Sequence, residues 1–367
     1  MRNNETSAVQ SLRSLYRDYG YSRFKMNKFE EYDTYAKIKD YLISDKVITF
    51  TDMNGKLLAM KPDVTVSIIK NSDDEKSGVE KLYYNENVYR ISNGTHDFRE
   101  IVQTGLECIG DIDLYNICEV ILLAVESLKT ISEDFVLDIS HMGFVSGLIS
   151  AAGFDESEAQ SVISAVSEKN LPKLSEICDK KGLCGALAEK IKGLVTFYGP
   201  VSQIADKLDS MIVNAETAEA AEEIKTICKA LIENDMAENV ELDFSVVNDM
   251  KYYNGIVFGG YIEGIPTDVL SGGQYDKLMR KMGKNKKAIG FAVYLDLLEQ
   301  LKKQNSSYDV DVALCYDETV GAGEVLKKAQ EIIKSGKTVH VQRCAPEKIR
   351  YKEKITLKEG GAKIENS

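Results

Sequence analysis

Residues 82–110 read LYYNENVYRISNGTHDFREIVQTGLECIG, two runs rich in β-branched and aromatic side chains around Ser92-Asn93-Gly94-Thr95-His96-Asp97. Asparagine, glycine and aspartate in that centre are turn formers, so the stretch predicts two long antiparallel strands, 81–91 and 99–109, joined by a polar loop. Side chains alternate across a strand. Gln103 and Glu107 therefore share one face with Ile101, Gly105 and Ile109, and on the partner strand Tyr84, Glu86, Val88 and Arg90 share a face likewise. A face carrying carboxyls, an amide, a guanidinium and a space-clearing glycine suits the floor of a polar pocket. It suits the solvated side of an antiparallel sheet as well, and alternation does not choose between them. His96, beside Asp97 and Arg99, reads as an exposed loop histidine rather than a catalytic one.

Upstream, apolar residues at Val9, Leu12, Leu15, Tyr16 and Tyr19 recur at helical spacing, with Thr6 or Ser7 as cap and Gly20 as stop. The runs 47–52 and 57–60 flank Asn54-Gly55, a strong hairpin signal. Downstream, 114–130 reads as a long amphipathic helix and 135–140 as a strand. From Met142 to about Met236 the pattern becomes helix after helix, broken at Gly153, Asn170-Leu171-Pro172, Gly182, Gly193 and Gly199-Pro200. Strand patterns return at 240–247, 256–262 and 267–270, and 289–301 reads as an apolar strand or helix. After the polar linker Gln304-Asn305-Ser306-Ser307, the runs 310–315, 318–334 and 338–342 give strand, helix, strand.

The sheet is thus assembled from both sides of a helical insertion, an α+β arrangement. The expected organisation is a core over 1–304, an insertion at about 143–236, and a small α/β appendage over 308–367. A chain of 367 residues has room for this. With 44% hydrophobic and 28% charged residues it is ordinary globular material. Net charge is −12, and because residues 307–367 carry 11 basic and 10 acidic side chains, all of the acidity lies on residues 1–306. That disfavours long-range attraction to phosphate backbones or anionic lipid. No stretch reaches the roughly 20 apolar residues that span a bilayer, and the polar start MRNNETSAVQ is unlike a signal peptide, so a cytoplasmic protein is expected. Seven cysteines without a C-x-x-C pair, alongside three histidines, argue for buried reduced thiols and against structural zinc. Neither metal nor cofactor is expected, since no dinucleotide or phosphate-loop glycine motif occurs.

Three further segments carry candidate chemistry. Lys61-Pro62-Asp63-Val64-Thr65 precedes an apolar helix, where Asp63 or Thr65 on its own reads as a helix cap. Lys251-Tyr252-Tyr253-Asn254-Gly255 and Ser271-Gly272-Gly273-Gln274-Tyr275-Asp276 are tyrosine and glycine clusters at strand ends; a ligand approach and plain turn chemistry explain them equally. His141, at a strand end, reads as solvent-exposed.

Taken in order, these segments resemble the catalytic domain of class II aminoacyl-tRNA synthetases, and within that class the histidyl-tRNA synthetase family. GYSRFKMNKFEEYD resembles the first motif, LLAMKPDVTV the L-R-P-E-G-T segment, and residues 82–110 the second-motif hairpin. MKYYNGIVFGGY resembles R-G-L-D-Y-Y-T-G-x-V-F, SGGQYDKLM resembles A-G-G-R-Y-D-x-L, and AIGFAVYLDLL resembles the third motif. The resemblance implies an antiparallel sheet flanked by helices, with the appendage as a truncated anticodon-binding-like domain. It places an amino-acid pocket on Asp63, Thr65, Arg90, Gln103, Glu107, Tyr252, Tyr253 and Tyr275. Free histidine fits that set: its ammonium suits Asp63, its carboxylate Arg90 or Gln103, and its imidazole Glu107 and a tyrosine hydroxyl.

The departures concern cations. Adenylate formation needs positive charge against the developing charge on the phosphates. The third-motif arginine falls on Leu297, preceded by Asp296, and the arginine heading R-G-L-D-Y-Y falls on Asn248. The aspartate of that segment becomes Lys251, the arginine of L-R-P becomes Lys61, and the first-motif proline becomes Asn27. A synthetase-like chain with this pattern resembles the ATP phosphoribosyltransferase regulatory subunits. That resemblance implies no catalytic residues of its own and a short-form catalytic phosphoribosyltransferase as partner. It also implies a dimer within a hetero-octamer and free histidine as effector, with neither tRNA nor membrane bound. An active histidyl-tRNA synthetase is the alternative.

Overall fold

The computed structural model describes residues 2–38, 47–72, 77–91, 97–247, 252–298, 308–345, 349–358 and 361–366, with the side chains of 2–7 and 361–366 excepted. The chain divides into two compact units, Met1–Leu298 and Glu299–Ser367.

The first unit is organised by a nine-stranded sheet in the order β1-β5-β6-β12-β11-β10-β7-β9-β8. These are β1 (Ser22–Arg23), β5 (Val79–Ile91), β6 (Phe98–Gly110), β7 (Phe135–His141), β8 (Tyr198–Pro200), β9 (Val240–Asp243), β10 (Ile256–Ile262), β11 (Leu270–Gln274) and β12 (Lys287–Tyr294). The hairpin β5–β6 is antiparallel along its whole length, with Tyr84 opposite Gly105 and Arg90 opposite Arg99. On its other edge β6 pairs with β12, which places Gly290 opposite Glu107 and Tyr294 opposite Gln103. The strand that completes the centre therefore arrives about 180 residues after the hairpin. The back of the sheet is covered by α1 (Arg2–Asp18) and α4 (Leu114–Ile131), whose Tyr16 and Ser127 hydroxyls meet at 2.9 Å. A capping box at Asp113 and Asn116 starts α4.

A separate three-stranded sheet, β2-β4-β3, is built from β2 (Phe29–Glu31), β3 (Thr49–Thr51) and β4 (Leu57–Met60). Its β3–β4 hairpin turns at Gly55, φ +80°, as the Asn-Gly signal predicts. One face buries Ala59 with Tyr35 of α2 (Tyr32–Ala36) and Val66 of α3 (Thr65–Asn71).

The region expected to be helical contains α5 (Met142–Ala151), α6 (Glu156–Ser167), α7 (Leu171–Lys181), α8 (Gly185–Thr196), α9 (Val201–Ile204) and α10 (Ala215–Glu233). It also lends the strand β8 to the edge of the main sheet. Several expectations are corrected here. The helix α1 runs through Thr6 and Ser7 back to Arg2. Gly193 lies inside α8 and breaks nothing: a Cβ there would sit 2.8 Å from the Met211 Cε, so the glycine serves close packing. The expected strand at 267–270 instead runs Leu270–Gln274, placing Gly272 and Gly273 within a central strand. A Cβ on Gly272 would meet the Gly290 carbonyl oxygen at 2.5 Å, which is why side chains are missing there. His141 is buried, not exposed, and its Nδ1 accepts the Gly143 N–H at the start of α5. Cys108, Cys178, Cys228 and Cys315 are buried as expected, whereas Cys184 and Cys344 are exposed.

The second unit has a four-stranded sheet, β14-β13-β15-β16, from β13 (Val310–Tyr316), β14 (Val339–Gln342), β15 (Tyr351–Lys358) and β16 (Gly361–Asn366). The helix α12 (Ala322–Lys334) packs Val325, Ala329 and Ile332 onto Val312, Leu314, Ile355 and Leu357. It starts four residues later than the sequence pattern suggests, and the hairpin β15–β16 adds two strands beyond it.

Candidate functional site

The pocket grows from rows of the main sheet. On the face opposite α1 and α4, register aligns Leu82, Glu107, Gly290 and Gly273 in one row, and Tyr84, Gly105, Ala292 and Ser271 in the next. A third row holds Glu86, Gln103 and Tyr294. Glycines in the first two rows leave space that side chains would fill. A Cβ on Gly105 would lie 2.7 Å from the Tyr84 hydroxyl, and one on Gly290 would lie 1.8 Å from Glu107 Oε2. The floor is polar because the small residues beside it are small.

Walls come from three other segments. Tyr252 and Tyr253 precede β10, their rings 4.6 Å apart, and Tyr275 precedes α11 (Asp276–Lys281), its ring 5.9 Å from Tyr252. The segment Lys61–Thr65 links β4 to α3 and is clamped onto β5. Tyr89 N–H donates to the Lys61 carbonyl at 2.9 Å, Arg90 Nε donates to the Pro62 carbonyl at 3.0 Å, and Lys61 Nζ pairs with Glu86 at 2.6 Å. Lys61 is 1% exposed, so this ion pair is part of the scaffold.

Asp63, Thr65, Arg90, Gln103, Glu107, Tyr252, Tyr253 and Tyr275, all eight sequence candidates, line one pocket. The solvated-face reading of the hairpin is thereby corrected over this half: β12, α3 and the tyrosine segments cover it. The cap reading of Asp63 holds alongside, since Oδ1 accepts the Val66 N–H at 3.2 Å. Thr65 opens α3 and donates its hydroxyl to Glu107 Oε1 at 2.7 Å, while the Tyr275 hydroxyl donates to Oε2 at 2.6 Å. Tyr84, from the face shared with Arg90, and Ser271, from the second glycine cluster, also line the pocket, and so do Ala292 and Tyr294, which nothing in the sequence singles out. The same period-two alternation that found Gln103 and Glu107 would have found Ala292 and Tyr294 had 287–294 been read as a strand paired with β6. Asp276 positions Tyr275: it accepts from Gln274 Nε2 at 2.9 Å, Asn254 Nδ2 at 3.2 Å and Ala288 N–H at 3.0 Å. His96, Asn248 and Lys251 lie outside the described residues.

Electrostatically the pocket is unbalanced. Burial raises the Glu107 carboxyl to about 8, with Asp63 adding to the rise and the two hydroxyl donors pulling back. Burial also holds the hydroxyls of Tyr252, Tyr253 and Tyr275 well above their ordinary range. Arg90 Nη2 is buried without a hydrogen-bond partner. A buried guanidinium nitrogen left open in a pocket is a socket for an anionic acceptor. The arrangement can hold a small ligand carrying a carboxylate, a group that suits Asp63, and a ring that reaches Glu107. Among the described residues no group of three or more His, Cys, Asp or Glu could hold a metal ion, and no helix is long and apolar enough to cross a membrane.

The family model described as histidyl-tRNA synthetase matches residues 2–298. A protein of Ruminiclostridium cellulolyticum named ATP phosphoribosyltransferase regulatory subunit is 26% identical over 317 residues, 84% of this chain and 75% of that one. A protein of the same name from Clostridium kluyveri is 28% identical over 349 residues, 92% of this chain and 88% of that one. A crystal structure from Bacillus halodurans, described as an ATP phosphoribosyltransferase regulatory subunit/histidyl-tRNA synthetase, superposes with a TM-score of 0.73 at 25% identity. It covers 96% of this chain and 93% of that one.

Proposed function

The chain belongs to the histidyl-tRNA synthetase family, and on that premise we propose that it serves as the regulatory subunit of ATP phosphoribosyltransferase, binding free histidine as its effector. It supports the activity of a short-form catalytic chain and carries feedback inhibition to it, and it makes no histidyl-adenylate itself. The observation that carries the histidine assignment is the unpartnered Nη2 of Arg90 in one pocket with Asp63 and Glu107. An α-carboxylate completes the guanidinium, an α-ammonium suits the carboxylate of Asp63, and an imidazole reaches the carboxyl of Glu107.

What supports a regulatory role over synthetase chemistry is the treatment of cations. Lys61, standing at the L-R-P arginine position, is locked to Glu86 and is not free to meet a phosphate. Leu297, at the third-motif arginine position, is an apolar side chain in the turn after β12. Recognition of the amino acid is kept while the groups that would steady a pyrophosphate leaving group are replaced. In this reading the chain dimerises, joins catalytic chains in a cytoplasmic hetero-octamer, and uses residues 308–367 as a cut-down appendage that binds no tRNA. Feedback then requires that the pocket's affinity for histidine differ between active and inactive assemblies.

The test is co-purification with a short-form phosphoribosyltransferase, followed by activity with and without histidine. Activity that depends on this chain and falls with histidine is expected. Robust histidine-dependent pyrophosphate exchange by the purified chain would overturn the proposal in favour of an active synthetase.

A further inference from the structure

The Glu107 carboxyl is buried in the lining of the pocket. Thr65 and Tyr275 each donate a hydroxyl to one of its oxygens, at 2.7 and 2.6 Å, and Gly290 lies opposite it on the neighbouring strand, where its missing side chain leaves the carboxyl room. Among the described residues it makes no ion pair. The groups facing it are Asp63 and Thr65 from the segment opening α3, Tyr84 from β5, Gly290 from β12, Tyr275 before α11, and Tyr252 and Tyr253 before β10. None of these is a cation, and one is a second acid. The pocket's guanidinium, Arg90, is held by the Pro62 carbonyl through Nε. Two hydroxyl donors satisfy a carboxyl oxygen pair in either protonation state, but without a nearby positive charge a buried carboxyl keeps its proton.

We propose that Glu107 meets its ligand as the neutral carboxylic acid, donating its O–H to an unprotonated imidazole nitrogen, so that a single proton lies between the carboxyl and that nitrogen. This rests on the histidine reading of the pocket and adds the protonation state that makes the site selective for an imidazole. The balance is simple. The ligand arrives with a neutral ring bearing one N–H and one lone pair, the lone pair accepts a hydrogen bond from the Glu107 O–H, the proton stays on the carboxyl, and nothing is released. A side chain lacking a nitrogen lone pair at that point leaves the acid's O–H unpaired and is rejected. Below about pH 6.5 free histidine must shed a ring proton to bind, and above about 8, where Glu107 ionises, the pocket must gain one. Affinity is therefore greatest between those limits.

The experiment is calorimetric titration of the full chain with free L-histidine from about pH 5.5 to about 9.5, in paired buffers of different ionisation enthalpy, for wild type and Glu107→Gln. A glutamine amide also donates a hydrogen, so the variant should keep histidine affinity within about tenfold near pH 7. Above pH 8 the wild type should take up more protons per histidine than the variant, the difference approaching one. The ligand's own α-ammonium, which titrates in both, cancels. In the ligand-free protein a carboxylic-acid infrared band that disappears as pH rises through about 8, and is missing in Glu107→Gln, should be seen. A loss of about 100-fold in the glutamine variant at neutral pH, equal proton uptake by both proteins, or absence of that band would overturn the inference while leaving histidine binding intact. Absence of histidine binding at every pH would overturn the pocket's assignment and this inference together.

Discussion

The surroundings of the pocket and the interior of the second unit are built on opposite rules. Beneath and around the pocket lie Lys61, Asp63, Gln103, Glu107 and Asp276, all buried and all polar, whereas the core of the second unit is Val312, Leu314, Val325, Ala329, Ile332, Ile355 and Leu357. Among the described residues no polar side chain of that second unit is buried. An apolar core contributes stability and nothing else. A buried polar group costs about 1–3 kcal/mol unless its hydrogen bonds are made, so it persists where it recognises something or holds in place a group that does. Lys61 and Asp276 are of the second kind, and Arg90 Nη2 stands ready for the first.

Substitutions should separate the two rules. Leu314→Ala, in the apolar core, should lower the stability of its unit by about 2–5 kcal/mol in denaturant unfolding, with histidine affinity unchanged. A parallel loss of affinity would show that the contrast is false. Gly290→Ala strikes the polar floor, because its Cβ would meet Glu107 Oε2 at 1.8 Å and the Leu106 carbonyl oxygen at 2.4 Å. It should cost about 1–3 kcal/mol of stability. It should also abolish calorimetrically detectable histidine binding, and normal affinity would mean that the carboxyl is not the ligand's partner. Arg90→Lys keeps the charge but loses the planar fork that uses Nε on Pro62 and presents Nη2 to the pocket. Histidine should bind about tenfold more weakly, or about 1.4 kcal/mol, with melting temperature little altered.

A further effect is spread over pH. Burial raises Glu107 from 4.5 to about 8 and, in the first unit away from the pocket, Asp138 from 3.8 to about 7, helped by Asp243 and Glu241. Both hold in the folded state a proton that the unfolded chain releases. Their stabilising contribution is present below about pH 4 and drains away as pH climbs to 7 and 8. Thermal melts of Glu107→Gln should show a shallower decline than wild type across pH 5 to 8, leaving the Asp138 share; an unchanged slope would deny the raised carboxyl.

Local pattern made much of this legible. The hairpin 82–110, its polar face, the Asn-Gly turn and the run of helices after Met142 all follow from spacing and turn chemistry, which act between near neighbours in the chain. Where reading failed, the cause was distant contact. Gly193 and Gly272 look like breaks until Met211 and Gly290 are seen against them. His141 looks like a surface residue until Glu223, from a helix far along the chain, is seen 3.5 Å from its Nε2.

By itself, then, the sequence determined which residues share a face, since alternation is a property of one strand, and its ordered motifs determined the family. Only the tertiary structure decided that the face is a pocket floor and not a wet surface. That decision belongs to β12, paired to β6 by backbone hydrogen bonds from about 180 residues away, and to the tyrosines that close over it. The protonation of Glu107 belongs to the same level, because desolvation is a property of everything packed around a carboxyl and of no residue beside it in the chain.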